Sequence, residues 1–165
     1  MNAGTNLGEI GSLATEVTYV DQEGKLQIHI VDENSFSYRK NNFLKEGDVV
    51  VSARLKHFGV DPNLKTEIKD YLEKRNNSQP MNQNTCGCIF KNSSMGEISC
   101  RAGHYVDIIG MKGFSLGGIR VSHKHGNFLE NHDGSTYSET MKLMKLLQAE
   151  MKLQFGVDFE FEVEH

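Results

Sequence analysis

No apolar run in this 165-residue chain approaches the roughly 18 residues that a membrane-spanning helix requires. Nor does a basic stretch leading into an apolar one open the chain, so a secretory signal is not expected. Cysteine is scarce and odd in number, three in all, which argues against a disulfide framework and for a reducing compartment. Positive charge is in deficit: the formal net charge is -4 and no basic cluster occurs, so there is no electrostatic footprint for nucleic acid. Internal repeats and low-complexity tracts are absent as well. The absences leave a cytoplasmic protein of one or two small domains, and 38% hydrophobic with 24% charged residues is ordinary for a globular chain.

Two regions and a joint are visible along the chain. Residues 16–20 and 25–31 alternate with period two around Asp21-Gln22-Glu23-Gly24, a β-hairpin pattern. A valine-rich strand follows over 48–55. Pro62 sits at a first-turn position, where its missing N–H is harmless, and Leu64, Ile68, Tyr71 and Leu72 stripe one face of the helix it opens. Asn76-Asn77-Ser78-Gln79-Pro80 breaks that helix and marks a boundary. Beyond it come a short helix over 102–109, strands around 119–122 and 127–130, and a long helix over 137–155. Thr136 and Glu139 fit a capping box, and Gly156 fits a left-handed C-terminal cap. Tyr137, Met141, Met144, Leu147, Met151 and Phe155 form its stripe, the methionines reading as adaptable core filler. Val157, Phe159, Phe161 and Val163 then alternate with Asp158, Glu160, Glu162 and Glu164 as an edge or half-buried strand. The fold class is α+β.

Chemistry concentrates at Thr85-Cys86-Gly87-Cys88-Ile89-Phe90-Lys91-Asn92, where a glycine and a reactive side chain lead into a Phe-Lys-Asn turn. Together with the closing Phe-Gly-Val-Asp-Phe-Glu-Phe-Glu-Val, this resembles the C-terminal half of the UDP-N-acetylenolpyruvoylglucosamine reductase (MurB) family, in most of which the motif reads like SAGSVFKNP. Met1-Asn2-Ala3-Gly4 through Gly8-Glu9-Ile10 is similar to the family's MNAGAYGGEI segment, and Ser37-Tyr38-Arg39 to its G-Y-R. Arg75 with Ser78-Gln79-Pro80 matches its R…TQP joint. The stretches 109–118 and 121–128 are similar to its GLKGYRIGG and VSEKHANF. Six such matches in one order cover nearly the whole chain. The resemblance places residues 1–62 in the later part of the flavin domain, 63–80 in a linker helix and joint, and 81–165 in the substrate-binding domain. The glycine-rich phosphate loops with which family members begin have no counterpart here.

What the resemblance implies is NADPH-dependent reduction of UDP-N-acetylglucosamine enolpyruvate to UDP-N-acetylmuramate, in bacterial cytoplasm, for peptidoglycan synthesis. Reduced FAD passes a hydride to the terminal methylene carbon of the enolpyruvyl ether, and the resulting enolate takes a proton on the carbon bearing the ether oxygen. Such an intermediate needs donors where negative charge develops and an acid beside the carbon. By position Cys88 replaces the proton-giving serine, and Arg39 and Glu162 match the other catalytic positions. Arg39 holds the carboxylate with its fork of donors, and Glu162 needs a raised pKa in the complete site. The segment Asn2, Ala3, Gly4, Gly8, Glu9 and Ile10 is assigned to the flavin. Tyr38, Lys91, Asn92, Lys124 and His125 are assigned to substrate. FAD is not expected to stay on this piece alone.

Plainer readings stand beside these. Taken alone, Cys88 is a core thiol, Arg39 a surface charge, and Glu162 part of a solvated strand face, the more so because Phe161 replaces the family's usual proline. A thiol is a better acid than a serine hydroxyl, so the change at position 88 keeps the chemistry plausible and makes the site oxidisable. Cys86, Cys88, Cys100 and His104 make a weaker zinc pattern, since C-x-C is tighter than the usual spacing, and no metal is expected. The alternative function is a non-catalytic, truncated binding or interaction protein of the same family. An antiparallel sheet lacking its other half predicts self-association through the exposed edge, or a partly disordered first region.

Overall fold

A computed structural model of the chain describes residues 1–5 and 7–163; Glu164, the last member of the expected acidic alternation, lies outside the described residues. The architecture is α+β: three helices with small antiparallel sheets, divided into two compact units, Met1–Asp61 and Pro62–His165.

The first unit opens with a two-residue ladder, β1 (Gly4–Thr5) against β2 (Gly8–Glu9), and a single 3₁₀ turn over Ile10–Ser12. The expected hairpin is β3 (Ala14–Val20) with β4 (Leu26–Ile30). Its turn is tied by Asp21, whose carboxylate accepts from the Glu23 and Lys25 amides at 3.0 and 2.9 Å and from Gln27 at 2.7 Å. A second small ladder, β5 (Phe36–Ser37) with β6 (Lys40–Asn41), was not legible in the sequence. β7 (Val49–Leu55) pairs with β3 on its other side, giving the order β4-β3-β7. On one face Phe43 stacks on His29 with 3.9 Å between ring centres and meets Phe36 edge-on. The other face is bare: Leu26, Ile28 and Ile30 are 62–65% exposed, and β7 is exposed along its whole length.

The second unit begins with α1 (Leu64–Ser78), one turn longer than the polar Asn76–Pro80 run suggests. It stops where it must: Gln79, forced extended by the following proline, has φ -128 and ψ 150. The expected stripe does not form a buried face, since no α1 residue is buried and Leu64, Ile68 and Leu72 are about half exposed. A hairpin absent from the sequence reading, β8 (Ser93–Met95) with β9 (Ile98–Cys100), precedes α2 (Ala102–Ile108). A three-stranded sheet follows, of β10 (Ser115–Leu116), β11 (Ile119–Val121) and β12 (Leu129–Asn131).

Over it lies α3 (Tyr137–Phe155), with the expected capping box: Thr136 Oγ1 accepts the Glu139 amide at 3.2 Å and the Glu139 carboxylate accepts the Thr136 amide at 2.7 Å. Gly156 closes the helix at φ 70. Met141, Leu143, Met144, Leu147 and Met151 are buried against Ile89, Phe90, Val106, Val121 and Phe159, whereas Tyr137 at the helix start is 67% exposed. Each fully buried side chain of this kind contributes about 1.5–3 kcal/mol, so this unit holds most of the core. The last segment is not a regular strand. Val157 and Phe159 are buried and Asp158 and Glu160 exposed, as the alternation requires, but pairing is confined to a single bridge between Phe90 and Phe161. Lys91 N–H to Glu160 O and Glu162 N–H to Ile89 O, both 2.9 Å, flank that bridge.

Candidate functional site

The second unit folds its Cys88 turn between two segments distant in sequence. Gly87, at φ 92, turns the chain and donates its amide to Thr85 Oγ1 at 3.3 Å. Cys88 then bridges Phe128, the Ile89 amide donates to Asn127 O at 3.0 Å, and on the other side Ile89 O accepts from Glu162. Cys88 and Glu162 therefore flank one residue, Ile89, across neighbouring segments.

Cys88, Asn92, Lys124 and His125 line a common cleft of about 260 Å³ with Arg101, His104, Asp107 and Lys112. Three cations against one carboxylate make the cleft a seat for an anion. Lys112 pairs with Asp107 at 2.9 Å, and Lys124 Nζ donates to Asn76 O in the last turn of α1 at 2.9 Å. Asn92 Oδ1 accepts the Ala102 amide at 3.1 Å and so holds the start of α2. His125 Nδ1 accepts the Asn127 amide at 3.1 Å, which leaves the ring proton of the neutral form on Nε2. Burial pushes the His125 pKa below its ordinary value; Asp107 opposes this and Lys112 adds to it. Lys91 is not among the lining residues and turns its ammonium to Glu160 at 3.1 Å.

The three cysteines part company. Cys86 is exposed, Cys88 half-buried, and Cys100 fully buried, accepting from the Tyr105 hydroxyl at 3.3 Å. Among the described residues no group of three or more His, Cys, Asp or Glu side chains is placed to hold a metal ion.

A second cluster forms within the first unit. Buried Asn2 donates to the Glu9 carboxylate at 2.6 Å and to Ser37 O at 3.2 Å, and accepts the Gly11 amide at 2.8 Å. Glu9 faces Arg39, whose guanidinium donates to Gly4 O at 3.1 Å and lies 4.9 Å above the Tyr38 ring. Arg39 is the one described non-glycine residue with positive φ, at 56°, a conformation that surrounding contacts must hold in place. A larger residue at Gly4 would crowd this seat, because a Cβ would come within 2.7 Å of Glu9 Cγ and 2.9 Å of the Arg39 guanidinium. Of the residues that the resemblance assigns to a flavin, Ala3, Gly8 and Ile10 are exposed, and nothing lies within 4 Å of a Cβ built on Gly8. Asn2 and Glu9 direct their polar atoms to each other and to Arg39 instead.

Sequence reasoning had no signal for Arg101 and Asp107 as cleft residues, since each is an ordinary polar side chain until the fold brings it to the Cys88 segment; His104 figures in the sequence only in a zinc pattern, and Lys112 only as part of the 109–118 motif. Asn127 had a weak signal, its place beside Phe128 in a motif already singled out.

Residues 79–165 match the model of the UDP-N-acetylenolpyruvoylglucosamine reductase C-terminal domain. The UDP-N-acetylenolpyruvoylglucosamine reductase of Chlamydia pneumoniae is 34% identical over 99% of this chain, and that of Aquifex aeolicus 37% identical over 99%. The chain spans about half the length of these curated relatives, 52% and 53%. Among solved structures, the UDP-N-acetylenolpyruvylglucosamine reductase (MurB) of Thermus caldophilus superposes with a TM-score of 0.81 at 27% identity, over 99% of this chain and 57% of that one.

Proposed function

The chain belongs to the UDP-N-acetylenolpyruvoylglucosamine reductase family, and we propose that it supplies the substrate-binding and proton-donating part of that reduction. The substrate is UDP-N-acetylglucosamine enolpyruvate. Its diphosphate would lie in the cleft among Arg101, Lys112 and Lys124, with the His125 Nε2–H as a neutral donor and Asn92 as a further polar contact; Tyr38 of the first unit is assigned to substrate by the family resemblance alone. Arg39 would hold the enolpyruvyl carboxylate, seated for this by Glu9 and Gly4. FAD reduced by NADPH would supply the hydride when bound, with Ala3, Gly8 and Ile10 among the residues exposed toward it. Cys88 then gives its proton to the carbon bearing the ether oxygen. The thiolate left behind regains a proton from water, which reaches a half-buried side chain. Glu162, on the segment next to Cys88, shares a proton with the enolate. Under this reading residues 1–62 are the later part of the flavin domain, 63–80 the joint and 81–165 the substrate domain, working in bacterial cytoplasm.

The observation that carries the proposal is the convergence of Cys88, Asn92, Lys124 and His125 on one cation-rich cleft. Titrating the enolpyruvyl nucleotide into the chain tests it by NMR. Shifts should concentrate at these four residues and weaken in Lys124→Ala. Shifts elsewhere, or none at millimolar ligand, would sink it.

A second reading is favoured by the bare sheet face of the first unit. There the chain is a non-catalytic interaction protein that associates through β4 and β7. It separates from the first by keeping its assembly state while ignoring the nucleotide.

A further inference from the structure

We propose that Asn127 is the positioning residue that sets the Cys88 thiol and the His125 ring against each other across the cleft. Asn127 is 3% exposed, and four of its groups are spent on these two neighbours' segments. Its side-chain Oδ1 accepts the Phe90 amide at 3.0 Å while its Nδ2 donates to Phe90 O at 2.8 Å. Its own carbonyl accepts the Ile89 amide at 3.0 Å, and its own amide donates to His125 Nδ1 at 3.1 Å. The primary amide thus imitates a strand neighbour for Phe90, and the next residue, Phe128, completes the bridge to Cys88.

Only a side chain with one acceptor and one donor side by side can do this. An aspartate keeps the acceptor but loses the donor, and aims a buried negative charge at the Phe90 carbonyl. A leucine leaves a buried N–H and a buried C=O without partners. Through its backbone amide the same residue fixes which His125 nitrogen carries the ring proton. The clamp therefore couples where the thiol sits to which way the imidazole donates. Its consequence for protonation rests on the reading of Cys88 as the acid; the clamp itself does not.

The chain carries its own reporters. Cys86 is exposed and serves as reference, Cys88 reports the clamped segment, and Cys100, fully buried, reports opening of the whole unit. The titratable or charged groups around the clamp are Cys88 and Lys91 on its own turn, Lys124 and His125 beside it, Arg101, His104, Asp107 and Lys112 from the start of α2 to just beyond it, and Glu160 and Glu162 on the C-terminal segment. The experiment is thiol labelling of the 165-residue chain with an aromatic disulfide that reacts at acid and neutral pH, read cysteine by cysteine by mass spectrometry, for wild type and Asn127→Asp.

At pH 8 the Cys88-to-Cys86 rate ratio should rise by roughly fivefold or more in Asn127→Asp, while Cys100 stays protected. Toward pH 5 the buried carboxyl, its pKa raised by desolvation, regains a proton and a donor, so the ratio should return to within about twofold of wild type. A wild-type measurement covers the case in which the variant does not fold. The ring ¹⁵N shifts of neutral His125 should report the Nε2–H form. A ratio that does not move, or Cys88 and Cys100 rising together, would reduce Asn127 to general packing and overturn the proposal. The Nδ1–H form in wild type would overturn it as well. No substrate enters these measurements, so failure here leaves the reductase reading standing, and absence of nucleotide binding leaves the clamp standing.

Discussion

Glu9 and Arg39 form an ion pair with 3.6 Å between Oε1 and a guanidinium nitrogen, although β2, which carries Glu9, and the Tyr38-Arg39 turn are far apart in sequence. The pair is partly buried, with the Arg39 side chain 15% and the Glu9 side chain 33% exposed. Arg39 combines a left-handed backbone, φ 56, with a guanidinium anchored by Glu9 and by Gly4 O.

Removing the charge but not the shape should loosen that anchor. Glu9→Gln should cost about 1 kcal/mol or less, because a long, partly solvated pair is worth little and the glutamine oxygen can still accept from Asn2, yet the Arg39 Nε–H resonance should broaden. Gly4→Ala should cost more, about 1–3 kcal/mol, by overpacking the same seat. Denaturant titration with two-dimensional NMR of the arginine side chains checks both. A sharp, unshifted Arg39 signal in Glu9→Gln would show the pair to be incidental.

Arg120 and Glu130 give a stability test in the second unit. Their 2.6 Å contact covers a carboxylate that is only 6% exposed. Burial pushes the Glu130 pKa up, but the Ser122 hydroxyl and Arg120 outweigh it and hold the group below its ordinary value of 4.5. A depressed carboxylate pKa contributes stability that is present above the ordinary value and is lost as pH falls through the folded value. Arg120→Met should therefore cost about 3–5 kcal/mol near pH 7 by leaving a buried charge unpaired, and much less near pH 3. Equal losses at both pH values would contradict the pairing.

Flavin retention is a direct question. Under the proposed reading most of the flavin contacts are not made by the residues described, so the chain should purify colourless. A yellow preparation with stoichiometric flavin, obtained without any added partner, would contradict this.

The bare face of the β4-β3-β7 sheet predicts association of the chain through apolar surface and unpaired strand edges. Analytical ultracentrifugation should find a dimer or larger species, or hydrogen exchange should find weak protection in residues 1–55. Ile28→Lys should shift the chain toward monomer. A monodisperse monomer with uniform protection would argue against it.

Much of the fold was legible where one local rule decided. The capping box at Thr136 and Glu139, the Gly156 cap and the Asp21–Lys25 turn are all short-range, and they fix α3 and the β3–β4 hairpin nearly to the residue. Two-residue ladders such as β5–β6 carry no periodicity to read. Periodicity also says nothing of what covers a face, which is why the apolar stripes of α1 and β4 are present and yet exposed. Cleft residues show the same limit. Cys88, Asn92, Lys124 and His125 were found through resemblance, whereas Arg101 and Lys112 join them only because α2 and the turn after it pack beside the Cys88 turn.

The most direct test of the account is single turnover with this chain fused behind the N-terminal half of a full-length relative, comparing wild type, Cys88→Ala, Cys88→Ser and Cys86→Ala. Flavin reduction by NADPH should be nearly unchanged in all four. In Cys88→Ala, flavin reoxidation by the enolpyruvyl nucleotide should still begin, while product forms ~10²–10⁴-fold more slowly, the usual contribution of a positioned acid. Cys88→Ser should recover much of that rate, and Cys86→Ala should lose little. Full turnover in Cys88→Ala, or equal losses at Cys86 and Cys88, would contradict the assignment of Cys88 as the proton donor.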